Sequence, residues 1–190
     1  LILGPLLARK REASVSLPGG CAIGARPIDM HIQALQELGA EFSLDQGYVN
    51  CKALKGVVGA KISLPKISVG ASENIIMAAS LAKGESEISN IAIEPEVIDL
   101  ITCLKSMGSE IEFVDERKII IQGKDQLHSA NHKIIPDRIE AGTYIIAGAL
   151  IGNNLNIRNI NLDHVQNIMN IFTSLGVDLI ISDSNVKVSK

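Results

Sequence analysis

Leu35-Gln36-Glu37-Leu38-Gly39-Ala40-Glu41-Phe42 has two counterparts further along the chain, Leu104-Lys105-Ser106-Met107-Gly108-Ser109-Glu110-Ile111 and Phe172-Thr173-Ser174-Leu175-Gly176-Val177-Asp178-Leu179. In each, an amphipathic stretch ends at a glycine and a short apolar run follows. The three glycines are 69 and 68 residues apart. A glycine just past a helix takes the left-handed cap conformation that other residues resist. Asn74 to Leu81 and Thr143 to Leu150 are a second matching pair, again 69 residues apart. The chain therefore carries two and a half copies of a unit of about 68 residues. That period exceeds those of solenoid repeats and suits pseudo-symmetric units within domains.

Each unit reads as helix, strand, helix, strand, strand, an α/β (α+β) pattern. In the first, Pro27 fits an opening helical turn, where its missing N–H is harmless. Ile28, Ile32, Leu35 and Leu38 follow at helical spacing. Phe42 and Leu44 alternate with Glu41, Ser43 and Asp45, as in a half-buried strand, and Asp45-Gln46-Gly47 turns the chain into a strand over 48–53. The second unit predicts helices over 72–82 and 96–107, with strands over 85–91, 109–114 and 118–122. The third predicts helices over 137–151 and 163–175, with strands over 155–160, 177–182 and 185–189. Helices that each bury one face suggest inner helices wrapped by outer sheets. Residues 123–135 are polar and irregular. A boundary at Ile135-Pro136 divides the chain into 1–135, most of a first domain, and 136–190, one unit of a second. Residues 1–9 and the final strand read as the edges of an internal piece of a longer protein.

Composition narrows the function. A net charge of −3 excludes a strongly basic nucleic-acid binder. Aromatics at 3% with no Trp argue against base-stacking platforms, so no nucleic-acid partner is expected. No apolar run reaches the length of a membrane span. Three cysteines make no disulfide framework and point to a reducing, cytoplasmic compartment.

Four segments carry chemistry. Leu17-Pro18-Gly19-Gly20-Cys21-Ala22-Ile23-Gly24-Ala25-Arg26-Pro27-Ile28-Asp29 surrounds one Cys and one Arg with glycines and prolines. Such a loop bends sharply and feeds a helix N-terminus, which favours an anion or a thiolate. Arg26 can pair with a phosphate there. Lys66-Ile67-Ser68-Val69-Gly70-Ala71-Ser72 precedes an apolar helix; it is a phosphate cradle or simply a helix entry with Ser72 as N-cap. Glu94, Glu96 and Asp99 stand at a helix start and read as dipole-complementing carboxylates. Pro136-Asp137-Arg138-Ile139-Glu140 either caps a helix or braces an interdomain hinge. Cys51 and Cys103, in apolar elements, read as small hydrophobes. His31, His128, His132 and His164 are scattered and read as surface or packing residues. No Cys or His pair has metal-ligand spacing, so neither a metal nor a cofactor is expected.

Gly19 to Pro27 resembles the catalytic loop of the UDP-N-acetylglucosamine enolpyruvyl transferases. Lys66 to Ala71 and Pro136 to Glu140 resemble two further motifs of that family, in the family's order. The sister family acting on shikimate phosphate lacks the Cys loop. The resemblance implies inside-out α/β units arranged around a pseudo-threefold axis. It also implies transfer of the enolpyruvyl group of phosphoenolpyruvate to the 3-hydroxyl of UDP-N-acetylglucosamine, in peptidoglycan synthesis and hence cell-wall biogenesis, shape and division. Cys21 matches the proton donor, which can hold phosphoenolpyruvate covalently and which fosfomycin alkylates. Arg26, Pro27, Ile28, Asp29 and Met30, with Lys66, Ile67, Ser68, Val69 and Gly70, match UDP-sugar contacts. Met30 and Ile67 stand where the family more often has Leu and Val. Asp137, Arg138 and Glu140 match hinge positions. The family's phosphoenolpyruvate-binding Lys-Asn pair, its late Asp base and its late arginines have no counterpart here. The resemblance therefore implies a fragment inactive on its own, and it leaves open a non-catalytic UDP-sugar-binding fragment or regulatory paralogue.

Overall fold

The computed structural model describes residues 1–19, 27–151 and 154–189. The chain divides into two compact units, Leu1–His132 and Lys133–Lys190.

The first unit runs α1 (Leu3–Lys10), β1 (Glu12–Ser16), α2 (Asp29–Glu37), β2 (Glu41–Asp45), β3 (Tyr48–Lys52), β4 (Lys61–Ser63), α3 (Val69–Ala79), β5 (Glu85–Ser89), α4 (Pro95–Ser106), β6 (Glu110–Asp115) and β7 (Lys118–Gln122). The second runs α5 (Arg138–Ile151), β8 (Leu155–Ile157), α6 (Leu162–Ser174), β9 (Asp178–Ser182) and β10 (Asn185–Ser189). The order helix, strand, helix, strand, strand thus recurs, with β4 added. Gly39, Gly108 and Gly176 have φ of +88°, +96° and +82°. These left-handed values are why each second helix stops where it does.

The sheets repeat the same plan. Their strand orders are β1-β3-β2, β4-β5-β7-β6 and β8-β10-β9, so the last strand of each repeat lies between the first two. Among these strands the pairings are antiparallel except that of β4 with β5, which brings Ile62 beside Ile88. Gln46 and Gly47, both at positive φ, close the β2–β3 hairpin, as a tight two-residue loop requires.

Helix α3 is the centre of the first unit and packs against α1, α2 and α4. Ile75, Ile76, Ala78 and Ala79 on it are fully buried, beneath Leu7 of α1, Leu35 of α2 and Ile88, Ile119 and Ile121 of the second sheet. Burying a side chain such as Ile76 contributes about 1.5–3 kcal/mol. The expectation of helices inside and sheets outside holds for this unit. The second unit has its own small core of Ala141, Ile145, Ile160, Val165, Met169, Val186 and Val188.

Two local expectations need correction, and one strand, β4, was not expected at all. Helix α2 starts at Asp29, with Ile28 as its N-cap, so Pro27 precedes the helix. Leu44 points to solvent at 65% exposure, because only Phe42 and β3 face the core from that hairpin. Strand β4 is too short to carry a two-residue alternation clearly, and its parallel partner is more than twenty residues away.

Candidate functional site

Two helix starts converge on one cavity. Pro27 and Ile28 lead into α2, and Ser68, Val69 and Gly70 open α3, whose side packs on α2. Between them lies a cavity of about 330 Å³, bounded by Pro27, Ile28 and His31 on one side and by Gly70 and Asn74 on another. Leu1 and Leu3, Val15, Ser16 and Pro18 of the β1 strand and its exit, and Val49 of β3 complete the wall. Pro18 and Pro27 flank the cysteine loop. Cys21 and Arg26 lie outside the described residues.

Ser68, not Ser72, is the N-cap of α3. Its backbone is extended (φ −149°, ψ 120°), and its Oγ accepts from the Ala71 N–H at 3.4 Å. Ser72 sits a turn further in, wholly buried, where its hydroxyl donates to the Ser68 carbonyl at 2.7 Å and accepts from the Ala92 N–H at 2.9 Å. The helix starts early because this buried hydroxyl is committed to two partners and the first turn is packed. The amides of Val69 and Gly70 have no acceptor within the helix. No acidic residue stands in the first turn to complement them. Lys66 and Ile67 are exposed just before it.

His31 is bound into this wall. The Asn74 side chain joins its Nδ1 at 3.1 Å, and the Gly4 N–H donates to Asn74 Oδ1 at 2.8 Å. Burial holds the His31 imidazole below its ordinary pKa, favouring the neutral ring. Glu73 is pushed up, first by burial and then by Glu96. His31 is thus a packing residue, and its place three residues into α2 does not by itself reveal the bond to Asn74, 43 residues away.

Met30 is half-buried and borders a second depression of about 390 Å³ with Lys61 to Pro65. Asp29 is exposed. Cys51 is buried in β3 and Cys103 half-buried in α4, as small hydrophobes. Glu94 holds the N-cap position of α4 without a side-chain capping bond. Asp99 is not a cap: it pairs with His132 Nε2 at 3.0 Å. Asp137 caps the start of α5: its Oδ1 accepts from the Ile139 and Glu140 amides at 2.7 and 3.1 Å. Among the described residues no cluster of His, Cys, Asp or Glu could hold a metal. No helix among them is long and apolar enough to cross a membrane.

A family model described as EPSP synthase (3-phosphoshikimate 1-carboxyvinyltransferase) matches residues 1–190. The UDP-N-acetylglucosamine 1-carboxyvinyltransferase of Gluconacetobacter diazotrophicus is 47% identical over 190 residues, spanning 100% of this chain and 45% of that protein. The protein of the same name from Pelagibacter ubique is 48% identical over 186 residues, spanning 98% and 45%. This chain is thus less than half the length of the curated relatives it matches. Among solved structures, the enolpyruvyl transferase NikO from Streptomyces tendae superposes with a TM-score of 0.81 at 23% identity, over 97% of this chain and 45% of that one. EPSP synthase from Acinetobacter baumannii gives 0.72 at 18% identity, over 100% and 45%. The fold is that of the enolpyruvyl transferases.

Proposed function

The chain belongs to the EPSP synthase family, and from that premise we propose that it is part of a cytoplasmic UDP-N-acetylglucosamine 1-carboxyvinyltransferase of peptidoglycan synthesis. The observation that carries this is the 47% identity, over the whole chain, to a relative bearing that name. The cavity supports it: Pro27 and Ile28 from one strip matched to UDP-sugar contacts, and Gly70 from the other, border one space.

In the proposed reaction the sugar 3-hydroxyl oxygen bonds to C2 of phosphoenolpyruvate while the Cys21 thiol protonates C3. The hydroxyl proton passes to a general base. The tetrahedral adduct then loses phosphate from C2 while a proton from C3 returns to the Cys21 thiolate, restoring the carbon–carbon double bond. Lys66, Arg26 and the first-turn amides of α3 supply positive potential for the diphosphate. The strip from Asp29 to Met30 faces the nucleoside. Arg138 and Glu140, in the first turn of α5, order the closed state in this proposal.

The test is made on the full-length protein. It should release phosphate from phosphoenolpyruvate only with UDP-N-acetylglucosamine, and Cys21→Ser should abolish this. Fosfomycin should add to Cys21, located by mass spectrometry. Turnover with shikimate 3-phosphate instead, or labelling at Cys51 or Cys103, overturns the assignment.

A further inference from the structure

We propose that His31 is an additional substrate-binding residue, donating a hydrogen bond from Nε2–H into the cavity beside the first turn of α3, and that Asn74 is the positioning residue that holds it in that tautomer.

The argument starts from a backbone group that can only donate. The Gly4 N–H lies 2.8 Å from one side-chain atom of Asn74, which must therefore be the carbonyl oxygen. The other terminal atom is then the amide nitrogen, a donor, and it lies 3.1 Å from His31 Nδ1. Nδ1 must accept, so it carries no proton, and the single ring proton resides on Nε2. Asn74 is 1% exposed, so it cannot rotate to water for an alternative arrangement. An imidazolium would set an Nδ1–H against the amide N–H₂, and burial opposes the charge as well.

The proton so placed has somewhere to go. Among the described residues Nε2 has no hydrogen-bond partner. It lies 3.6 Å from where a Cβ on Gly70 would stand, so glycine leaves the space between the ring and the first turn of α3 open. Ring and turn share the wall of the 330 Å³ cavity. Apart from Ser16 and Asn74, whose amide is committed to Gly4 and His31, the rest of that wall is apolar, Leu1, Leu3, Val15, Pro27, Ile28 and Val49 among it, so a donor there is selective rather than generic. For the identity of the acceptor, the inference rests on the proposed function: an oxygen of the diphosphate seated at the α3 turn takes the Nε2–H bond. A neutral ring makes this bond directional and insensitive to protonation around neutral pH.

The experiment uses the full-length protein labelled with ¹⁵N-histidine, His31 being assigned by its loss in His31→Gln. Long-range ¹H–¹⁵N spectra should show His31 as the neutral Nε2–H tautomer, with Nε2 shifting on saturation with UDP-N-acetylglucosamine. In Asn74→Asp the carboxylate accepts from Gly4 and from Nδ1–H, so the ring should gain an Nδ1 proton. His31→Leu should raise KM for UDP-N-acetylglucosamine roughly tenfold, with kcat falling far less, and His31→Gln, which keeps an N–H donor, should recover part of the loss. An Nδ1–H tautomer in the wild type, or an Nε2 signal indifferent to the nucleotide sugar, overturns the inference without needing any variant to fold. An unchanged KM in His31→Leu, with normal wild-type turnover, overturns this inference alone. Failure of the wild type to bind the nucleotide sugar overturns the proposed function and the acceptor with it.

Discussion

The Gly4 backbone and Asn74 are in contact twice over. The Gly4 N–H donates to Asn74 Oδ1 at 2.8 Å, and a Cβ on Gly4 would stand 2.4 Å from the Asn74 carbonyl oxygen. Helices α1 and α3 approach this closely because Gly4 has no side chain to meet Asn74 at that point. Gly4→Ala should therefore push α1 off α3, with a loss of about 1–3 kcal/mol on overpacking alone. Chemical denaturation should show the lower midpoint. A midpoint equal to that of the wild type would mean that α1 sits elsewhere.

Ser72 and Ser68 separate capping from buried polar satisfaction. Ser72→Ala removes the acceptor of the Ala92 N–H, which is buried at 0% exposure and would be left unpaired, at about 1–3 kcal/mol. Ser68→Ala removes a longer capping bond of 3.4 Å at a half-buried position, and its loss should lie toward the lower part of the ~0.5–2 kcal/mol range. Urea midpoints of the two variants should fall in that order. The reverse order would return the N-cap of α3 to Ser72.

Much of this architecture is legible in the chain because it rests on local signals. Gly39, Gly108 and Gly176 mark helix ends by a backbone need that few other residues meet, and the structure has all three at positive φ. The hairpin at Gln46-Gly47 is equally local. What escaped depends on contacts distant in sequence. Strand β4 exists because Ile62 pairs with Ile88, and the early start of α3 depends on Ala92 reaching Ser72. The site divides in the same way. The strips at Pro27 to Met30 and Lys66 to Gly70 carry their own composition, whereas His31 is held by Asn74 and, through it, by Gly4, 43 and 27 residues away.

His31 also sets a pH dependence. Its folded pKa is lowered from 6.5 by burial. Above 6.5 the ring is neutral in both states and contributes nothing to the slope. As pH falls through 6.5 the unfolded chain takes the proton first, so stability declines until the folded value is passed. His31→Gln lacks this step while keeping the other titrating groups. The Tm of the wild type relative to His31→Gln should therefore be higher at pH 8 than at pH 5. A difference that is flat, or of opposite sign, would place the ring in solvent.

Cys51 makes the converse point about thiols. It is 1% exposed on β3, opposite Ala13 and Phe42. Burial raises its pKa, outweighing the backbone hydrogen bond from Ala13 that works the other way. Since the thiolate is the reactive species, exposure and ionisation both oppose its alkylation. Iodoacetamide at pH 8, with peptide mapping, should leave Cys51 unmodified in the native protein and modify it once guanidinium has unfolded the first unit. Half-buried Cys103 on α4 should react faster than Cys51 under native conditions. Cys51 is therefore a thiol that fosfomycin should leave untouched in the native protein, and a label on it counts against Cys21 as the reacting group. Equal native rates at Cys51 and Cys103 would show that the β1-β3-β2 sheet does not cover the core, and would remove the wall that Val15 and Val49 contribute to the cavity.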